Sequence, residues 1–417
     1  MSAAEHESAI AVVGAGIIGA TIALELRKRG HDVVLVDRDE PGHGCSFGNS
    51  GAISPGSVAP LALPGVLASV PGMLLDAQSP LRVPLAYLPR AMPWLLRFVA
   101  SARPARVAQS AASLHALHQG AVARHVALAR EVGVPELVVV RGHLHVYPGE
   151  AALAADREAW SLRRAHGFVP QQLDRAAIVA LEPAVAARYT VGMFLDDHAA
   201  VRNPLRYVQA IVRGFEARGG IVRRAQVRAL ARAGTGWHVH TPDRVWRVAG
   251  VVVAAGAWSR ALLDPHGLPL PLETQRGYHV EFDGESPITR TVVLTDRKAF
   301  ATPMEGGLRV GGTVEIGGLA AAPDWRRADA LGRAAREAFP TLTAGPVRRW
   351  MGHRPCMPDS VPFVGAVPGA ANLFAAVGHG HLGVTDAPGT ALRIADAVAP
   401  VGSRGIAPMS DTGTVRS

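Results

Sequence analysis

The sequence is poor in cysteine: Cys45 and Cys356 are the only two in 417 residues. Two thiols make no disulfide framework, and the expectation is a reducing, cytoplasmic setting. Lysine is just as scarce. Lys28 and Lys298 are the only lysines, so the net charge of +9 rests on arginine. That skew, beside abundant alanine, reads as a codon bias rather than as selection for phosphate contacts. No dense basic run is present, so nucleic-acid binding is excluded as a function class. The surplus charge fits weak attraction to an anionic membrane surface better. Long apolar runs are missing too. The nearest, residues 58–75, is broken by Pro60, Pro64 and Pro71 and falls short of the about 18 clean apolar residues of a membrane span. No charged-then-apolar leader opens the chain, because Glu5, His6 and Glu7 precede a strand-like run from Ala9 to Val13. The His-x-His pairs at His143/His145, His238/His240 and His379/His381 put two rings on one strand face. They lack a third ligand at metal-site spacing and a cysteine cluster, so no metal is expected.

What is present supports a large core: 48% of the residues are hydrophobic and 18% charged, which suits two or three domains. Ala9 to Val13 is a short apolar run, Gly14 follows, a helical pattern continues to Arg29, and Gly30 stops it. A second apolar run, Val33 to Val36, ends in Asp37. Residues 55–104 carry nine prolines, which predicts no long uninterrupted helix there. Within that region Tyr87 to Ala102 mixes leucine, tryptophan and arginine. It reads either as core packing beneath a substrate domain or as an interfacial membrane anchor. Helices are expected over 105–132, after the Asn203-Pro204 cap, and over 324–339. Strands are expected over 221–227, 237–241, 245–255, 277–282, 308–313 and 373–377, with a final helix to about Val398 and a frayed tail from Gly402.

The first turn carries the most specific motif. Gly14-Ala15-Gly16-Ile17-Ile18-Gly19 is G-x-G-x-x-G between a strand and a helix, with an acid at the end of the next strand. Gly14 permits the tight turn, Gly16 lets a pyrophosphate approach the backbone, and Gly19 lets helix and strand pack closely. The N–H groups of Ile17 and Ile18 open the helix toward the phosphates. Asp37 is placed to accept the ribose hydroxyls and would repel the 2′-phosphate that neighbouring Arg38 on its own would suggest. The motif extends through Ala23 and Gly30 in a spacing that resembles FAD-binding oxidoreductases.

The resemblance sharpens past Asp37. Cys45-Ser46-Phe47-Gly48-Asn49-Ser50-Gly51, then Ser54-Pro55-Gly56, resembles the early flavin loop of bacterial D-amino-acid dehydrogenases, members of the D-amino-acid oxidase and glycine oxidase superfamily. Four further segments resemble that family in the same order: Gly220 to Val227, Val251 to Ser259 (with Ala255, Gly256 and Trp258), Leu308 to Glu315, and a C-terminal signature made of Gly352 to Gly365 and Asn372 to Gly383. The resemblance covers nearly the whole chain. It implies an α/β plus α+β protein, a Rossmann-type FAD-binding domain (1–85, 195–265 and 345–400) interleaved with an antiparallel-sheet substrate domain (86–194 and 266–344), with a flexible tail at 401–417. It implies cofactor contacts from Ser46, Asn49, Ser50 and Gly51, from the Val227 backbone at the adenine, and from Gly352, Gly378, Gly380, His381, Leu382, Gly383, Val384 and Thr385.

The implied activity is FAD-dependent oxidative deamination of a small D-amino acid or cyclic amine. A hydride passes from the α-carbon to flavin N5, and the imine is hydrolysed to a 2-oxo acid and ammonia. Arg354, in Gly-His-Arg-Pro, matches the family's carboxylate-binding arginine, and a guanidinium fork suits that task. A helix starting near Thr385 to Pro388 would stabilise charge on the reduced flavin. His353 and His379 are candidate proton acceptors. Tyr278 is a pocket candidate, with strand packing the equal alternative. Cys356 is only three residues before Asp359, closer than the flavin-linking cysteine of covalent relatives, so FAD is expected to be non-covalent. The proline-rich Ser54 to Phe98 region resembles the dehydrogenase branch. This implies electron transfer to a quinone or other carrier and peripheral contact with the cytoplasmic face of the inner membrane. An oxygen-using oxidase acting on glycine, sarcosine or a proline isomer, and a subunit of a hetero-oligomeric amine dehydrogenase, stay open as alternatives.

Overall fold

The computed structural model describes residues 9–64, 81–343 and 347–398. The tail expected at 401–417 and most of the proline-broken run at 58–75 lie outside them. Two sheets dominate. The first has six strands in the order Ile221–Arg224, Val33–Asp37, Ile10–Val13, Gly250–Val253, Leu373–Val377 and Phe363–Ala366. All neighbours are parallel except the last pair. Such a sheet buries both faces, so its strands are near-continuous apolar runs. Ile10, Val12, Leu35 and Val252 face the helices Ile17–Lys28, Pro204–Glu216 and Gly383–Ala397. Ala11, Val13, Val251 and Val253 face a three-stranded antiparallel sheet through Leu230, Trp237 and Val239.

The second sheet has nine strands and is mostly antiparallel. It runs Val347–Cys356, Glu273–Asp283, Gly307–Ile316, Ala299–Met304, Thr291–Leu294, His143–Tyr147, Val191–Leu195 and Gln171–Leu173, with Leu81–Arg82 pairing onto Gly307–Ile316. Helix Arg326–Ala338 covers one face, burying Ala328, Leu331 and Ala335 against Tyr278, Val280 and Phe282. The Asn203 cap forms as expected, its side chain accepting the Arg206 N–H at 3.0 Å.

Three local expectations need correction. A 14-residue helix, Leu88–Ser101, runs through the proline-rich region with Pro93 inside it. Pro89 lies in the first turn, where its missing N–H costs nothing, and Pro93 forfeits only the bond to the Pro89 carbonyl. Packing of Ala91 and Trp94 on Ile316 and Cys356, and a Trp94 Nε1–H bond to the Cys356 carbonyl at 3.2 Å, offset that loss. The helix expected over 105–132 is two, Pro104–His118 and Ala121–Glu131, parted by Gly120 at φ +65°. The strand expected over 245–255 divides at Ala249 into Val245–Val248 and Gly250–Val253, which join different sheets. Among the described residues no helix is long and apolar enough to cross a membrane.

Candidate active site

The site is built where the first strand meets its helix. Gly14 sits at φ +109°, and a Cβ there would lie 2.3 Å from the Ala254 carbonyl oxygen. A Cβ on Gly19 would lie 1.8 Å from the Gly14 carbonyl oxygen, so helix and turn touch only because both residues are glycine. Gly16 differs: its Cβ would meet nothing closer than Ser46 Oγ at 3.2 Å, which leaves its backbone open to a ligand. Ser46 Oγ accepts the Ile17 N–H at 2.9 Å, and Asp37 accepts the Ala15 N–H at 2.6 Å and the Asp39 N–H at 3.0 Å. The result is a helix N-terminus with an acid fixed beside it, the arrangement a dinucleotide pyrophosphate and ribose require.

Gly14, Gly16, Asp37 and Ser46 line one cavity of about 1360 Å³, above the roughly 300–1,000 Å³ usual for one small ligand, while Gly19 lies behind them. The same wall holds Ile17, Ile18, Arg38, Asn49, Val227, Ala255, Gly256, Trp258, His353, His379, Gly380, Gly383 and Val384. Arg38 stacks on Trp258, its Cζ 3.9 Å from the ring centroid. Other expected residues do structural work around this wall. A Cβ on Gly51 would lie 2.3 Å from the Val201 carbonyl oxygen, one on Gly352 2.0 Å from Trp350, and one on Gly378 2.4 Å from Met357. Ser50 packs under Gly311. Thr385 Oγ1 accepts the Ser54 N–H at 2.9 Å. Leu382 caps the last helix, and His381 beside it is exposed.

Arg354 lies on the edge strand Val347–Cys356, opposite Gln275. Its guanidinium occupies the space above Gly277, where any Cβ would be 2.1 Å from Cζ. Strand Gly307–Ile316 bulges at this point, with Arg276 facing Glu315 and Tyr278 facing Gly312, so Thr313 and Val314 share the place opposite Gly277. The bulge holds Thr313 at φ +60° and turns two carbonyls onto the guanidinium. Arg354 Nη1 donates to Thr313 O at 2.8 Å and Nη2 to Gly312 O at 3.3 Å. Among the described residues no carboxylate pairs with Arg354, and burial pushes its pKa down. Its neighbours in the sheet do find acids: Arg276 pairs with Glu315 and Arg309 with Glu281.

Tyr278 faces the other side. It is 1% exposed, its hydroxyl donates to Glu315 at 2.5 Å and accepts the Asp324 N–H at 2.9 Å, and burial raises its pKa. Successive residues of a strand point to opposite faces, so Gly277 and Tyr278 cannot serve one pocket. The two histidines do reach the cavity. His353 Nδ1 lies 3.0 Å from Thr274 Oγ1 with its ring edge-on to Trp258, and burial lowers its pKa. His379 Nε2 lies 3.0 Å from Thr390 Oγ1, and burial pushes its pKa down to about 4.

The last helix starts at Gly383 rather than at Thr385 to Pro388, with Pro388 inside it. Pro388 has no N–H for the Val384 carbonyl. The fully buried His125 takes its place, donating from Nε2 to Val384 O at 2.6 Å while Nδ1 faces the Tyr207 hydroxyl at 3.0 Å. Sequence reasoning missed a second lobe of the cavity, where Tyr87, Arg90, Glu273 and Thr274 meet. The Tyr87 hydroxyl donates to Glu273 at 3.2 Å. Thr274 had a findable signal, since it begins the strand run that leads to Gly277. Tyr87 had none. No group of three His, Cys, Asp or Glu side chains that could hold a metal occurs among the described residues.

A glycine cradle at a helix N-terminus, an acid at the second strand's end and an unpaired arginine on an adjoining antiparallel sheet define a dinucleotide-dependent oxidoreductase. Residues 9–397 match the DAO family of FAD dependent oxidoreductases, and the chain belongs to it. The chain is 37% identical over 396 residues to a D-amino-acid oxidase of Bradyrhizobium diazoefficiens, covering 93% of this chain and 94% of that one. It is 34% identical over 411 residues to D-amino acid dehydrogenase 2 of Ralstonia nicotianae, covering 94% and 96%. Its fold is that of glycine oxidase from Geobacillus kaustophilus, with a TM-score of 0.73 at 22% identity, covering 99% of this chain and 100% of that one. The cavity fits FAD on its own evidence: the space left open at Gly16, the helix N-terminus and the fixed Asp37 are donors and acceptors set for a dinucleotide.

Proposed function

We propose that the chain oxidatively deaminates a small D-amino acid, the imine being hydrolysed to a 2-oxo acid and ammonia, with the electrons passed on to a quinone or other carrier. FAD supplies the electron sink when bound. The observation that carries this reading is Arg354: it stands between His353 and Pro355, which line the cavity, and its half-buried guanidinium, held by two carbonyls and without an acid, is the group that would meet a substrate carboxylate. Gly14, Gly16 and Ile18 hold the pyrophosphate, Asp37 the ribose and Val227 the adenine, the Ile17 N–H being taken by Ser46 Oγ. His353, neutral and facing the cavity, accepts the proton of the substrate amine better than His379, whose Nε2 is engaged by Thr390. Tyr278 is assigned to strand packing. The D-configuration follows the named relatives. Cyclic imino acids stay within the proposed class.

Both thiols are poor nucleophiles at neutral pH, since burial pushes Cys45 up to about 11 and Cys356 up to about 12. This supports FAD held without a covalent bond. The proposed division keeps the six-stranded sheet as the FAD-binding part and counts residues 347–356 with the substrate-side sheet that they extend. Peripheral membrane contact is supported by Leu85, Met92, Leu96 and Val99, all exposed at helical spacing beside Arg90 and Arg97. A second reading, direct use of oxygen, draws support from the D-amino-acid oxidase among the relatives. The test is product analysis with a D-amino acid under air, with and without a soluble quinone or dye as electron acceptor. A 2-oxo acid and ammonia with little hydrogen peroxide fits the carrier reading, peroxide equal to the 2-oxo acid fits the oxidase, and neither product overturns both.

A further inference from the structure

Four carboxylates line the cavity among the described residues: Asp37, Asp39, Asp264 and Glu273. Three of them are engaged. Asp37 accepts the N–H groups of Ala15 and Asp39, Asp39 meets Arg38 at 3.3 Å, and Asp264 meets Arg260 at 3.0 Å. Glu273 is different. It is half-buried and forms no ion pair among the described residues; Arg260, held by Asp264, acts on it only at a distance. Its hydrogen-bond partners are neutral. Oε1 accepts the Thr274 N–H at 2.8 Å, and the Tyr87 hydroxyl is shared between the two oxygens at 3.3 and 3.2 Å. A carboxylate has about four lone-pair sites, so accepting capacity is left over and the charge is uncompensated. Burial outweighs both donors and raises the Glu273 pKa.

Glu273 begins the strand over which the Arg354 guanidinium rests. Glu273, Gln275 and Gly277 alternate onto one face, where they stand opposite Cys356, Arg354 and Gly352. Arg354 and Glu273 therefore share a face, with Cys356 between them. The electrostatics agree, since the Cys356 thiol feels both the arginine and the glutamate. The wall of the cavity is continuous here. Glu273, Pro355, His379 and Gly380 all line it, and a Cβ on Gly380 would lie 3.4 Å from Cys356 Sγ. One face of one sheet thus carries a cation without an acid and, further along, an acid without a cation.

The spacing decides which part of a substrate reaches Glu273. The carboxylate is held against the Thr274 N–H, three residues before Gly277, which is about 10 Å at roughly 3.3 Å per residue. The α-amino group of a substrate gripped at Arg354 sits on the carbon next to its carboxylate and cannot cross that gap. Two charge-assisted contacts of about 2.8 Å take up roughly half of it, and a side chain of ornithine or lysine length fills the rest. We propose that Glu273 selects the far end of the substrate: the preferred class is a D-amino acid with a basic side chain, its α-carboxylate on Arg354 and its terminal ammonium on Glu273. The inference rests on the deamination reading, whose carboxylate clamp holds the near end.

Tyr87 positions the receiving carboxylate. Its ring packs on Gly318, where a Cβ would lie 2.7 Å from Cε2, and its hydroxyl reaches both Glu273 oxygens. Arg90, three residues on and exposed, acts on Tyr87 but not on Glu273, so it stands at the rim and leaves the carboxylate to a ligand. A neutral side chain of the same length would shield Glu273 from water without supplying a cation, and an acidic one would repel it. Both are expected to be poorer substrates.

The test compares D-ornithine with D-norleucine, which carries a methyl group in place of the terminal ammonium, in steady-state kinetics of the holoprotein with a dye as electron acceptor. The native protein is expected to favour D-ornithine by at least about tenfold in kcat/KM, the low end of what a hydrogen bond to a charged group contributes. Glu273→Gln keeps the shape and removes the charge. It is expected to raise KM for D-ornithine at least about tenfold at little cost in kcat, and to leave D-norleucine within about threefold. Glu273→Asp draws the carboxylate back by one methylene and is expected to shift the preference from D-ornithine toward D-lysine, which a merely structural role would not do. A native protein that oxidises D-norleucine as well as D-ornithine would overturn the inference and leave the deamination reading standing. So would a Glu273→Gln variant that loses both substrates equally. If no D-amino acid reduces the flavin, the reading and the inference fall together.

Discussion

Replacing Arg354 by leucine should separate catalysis from stability. A bidentate guanidinium–carboxylate contact contains two charge-assisted hydrogen bonds of about 1.5–3 kcal/mol each, so its loss removes roughly 3–6 kcal/mol of substrate binding. At about 1.4 kcal/mol per factor of ten, kcat/KM should fall by roughly 10² to 10⁴, mostly through KM, because the clamp acts on bound substrate and transition state alike. The free protein should barely notice. Arg354 has no acid to strand, burial already disfavours its charge, and only the bonds to Thr313 O and Gly312 O are lost. Arg309→Leu provides the contrast: it leaves buried Glu281 with only the exposed Arg348 at 3.3 Å and removes the bonds to Phe47 O and Asn49 O, which should cost about 3–5 kcal/mol. Steady-state kinetics with a D-amino acid, together with denaturant unfolding of both variants, read the two effects. The reasoning is refuted if Arg354→Leu keeps kcat/KM within about threefold of the native value, or if it destabilises the protein as much as Arg309→Leu does.

Other outcomes follow from the same geometry. Gly19→Ala drives a Cβ into the Gly14 carbonyl and should prevent folding into a soluble holoprotein, whereas Gly16→Ala should fold and bind FAD at least tenfold more weakly, as fluorescence titration of the apoprotein would show. His125 and His379 are held down to about 4 against 6.5 in the unfolded chain, and His279 to about 3. The unfolded chain therefore takes up protons below pH 6.5 that the fold refuses. The stability these histidines confer is complete above pH 6.5 and is lost as the pH falls from there toward 4, at up to about 1.4 kcal/mol per pH unit for each. Denaturant midpoints at pH 7.5 and pH 5 should differ accordingly, and a flat profile would contradict the burial described. Acid precipitation should release the flavin into the supernatant, and yellow colour retained in the pellet would mean a covalent link.

The parts of the fold that were legible in the sequence are those where one residue type alone fits. Gly14 and Gly19 touch backbone atoms, so the cradle could be read from spacing, and Asn203 announced its helix by its own cap. The helix through Pro93 was hidden because what sustains it, Trp94 reaching the Cys356 carbonyl, comes from a distant strand. The direction of Tyr278 was hidden for a related reason. Alternation was visible from Gly277 to Phe282, but which face met the cavity depended on a bulge in the partner strand. Arg354 stood out only through family resemblance, since nothing local distinguishes it from other arginines. Its want of an acid emerges once Gly277, Thr313 and residues 347–356 are brought together. Glu273 with Tyr87 is an encounter between separate segments, and no spacing rule connects the two.

The most direct test of the central claim is the visible spectrum of the purified holoprotein mixed anaerobically with matched D- and L-amino acids. The account predicts that the flavin band is bleached by D-isomers of small amino acids and not by their L-partners, and that Arg354→Leu stays oxidised at the same concentrations. A yellow protein that no D-amino acid bleaches, or one bleached equally by both isomers, would contradict it.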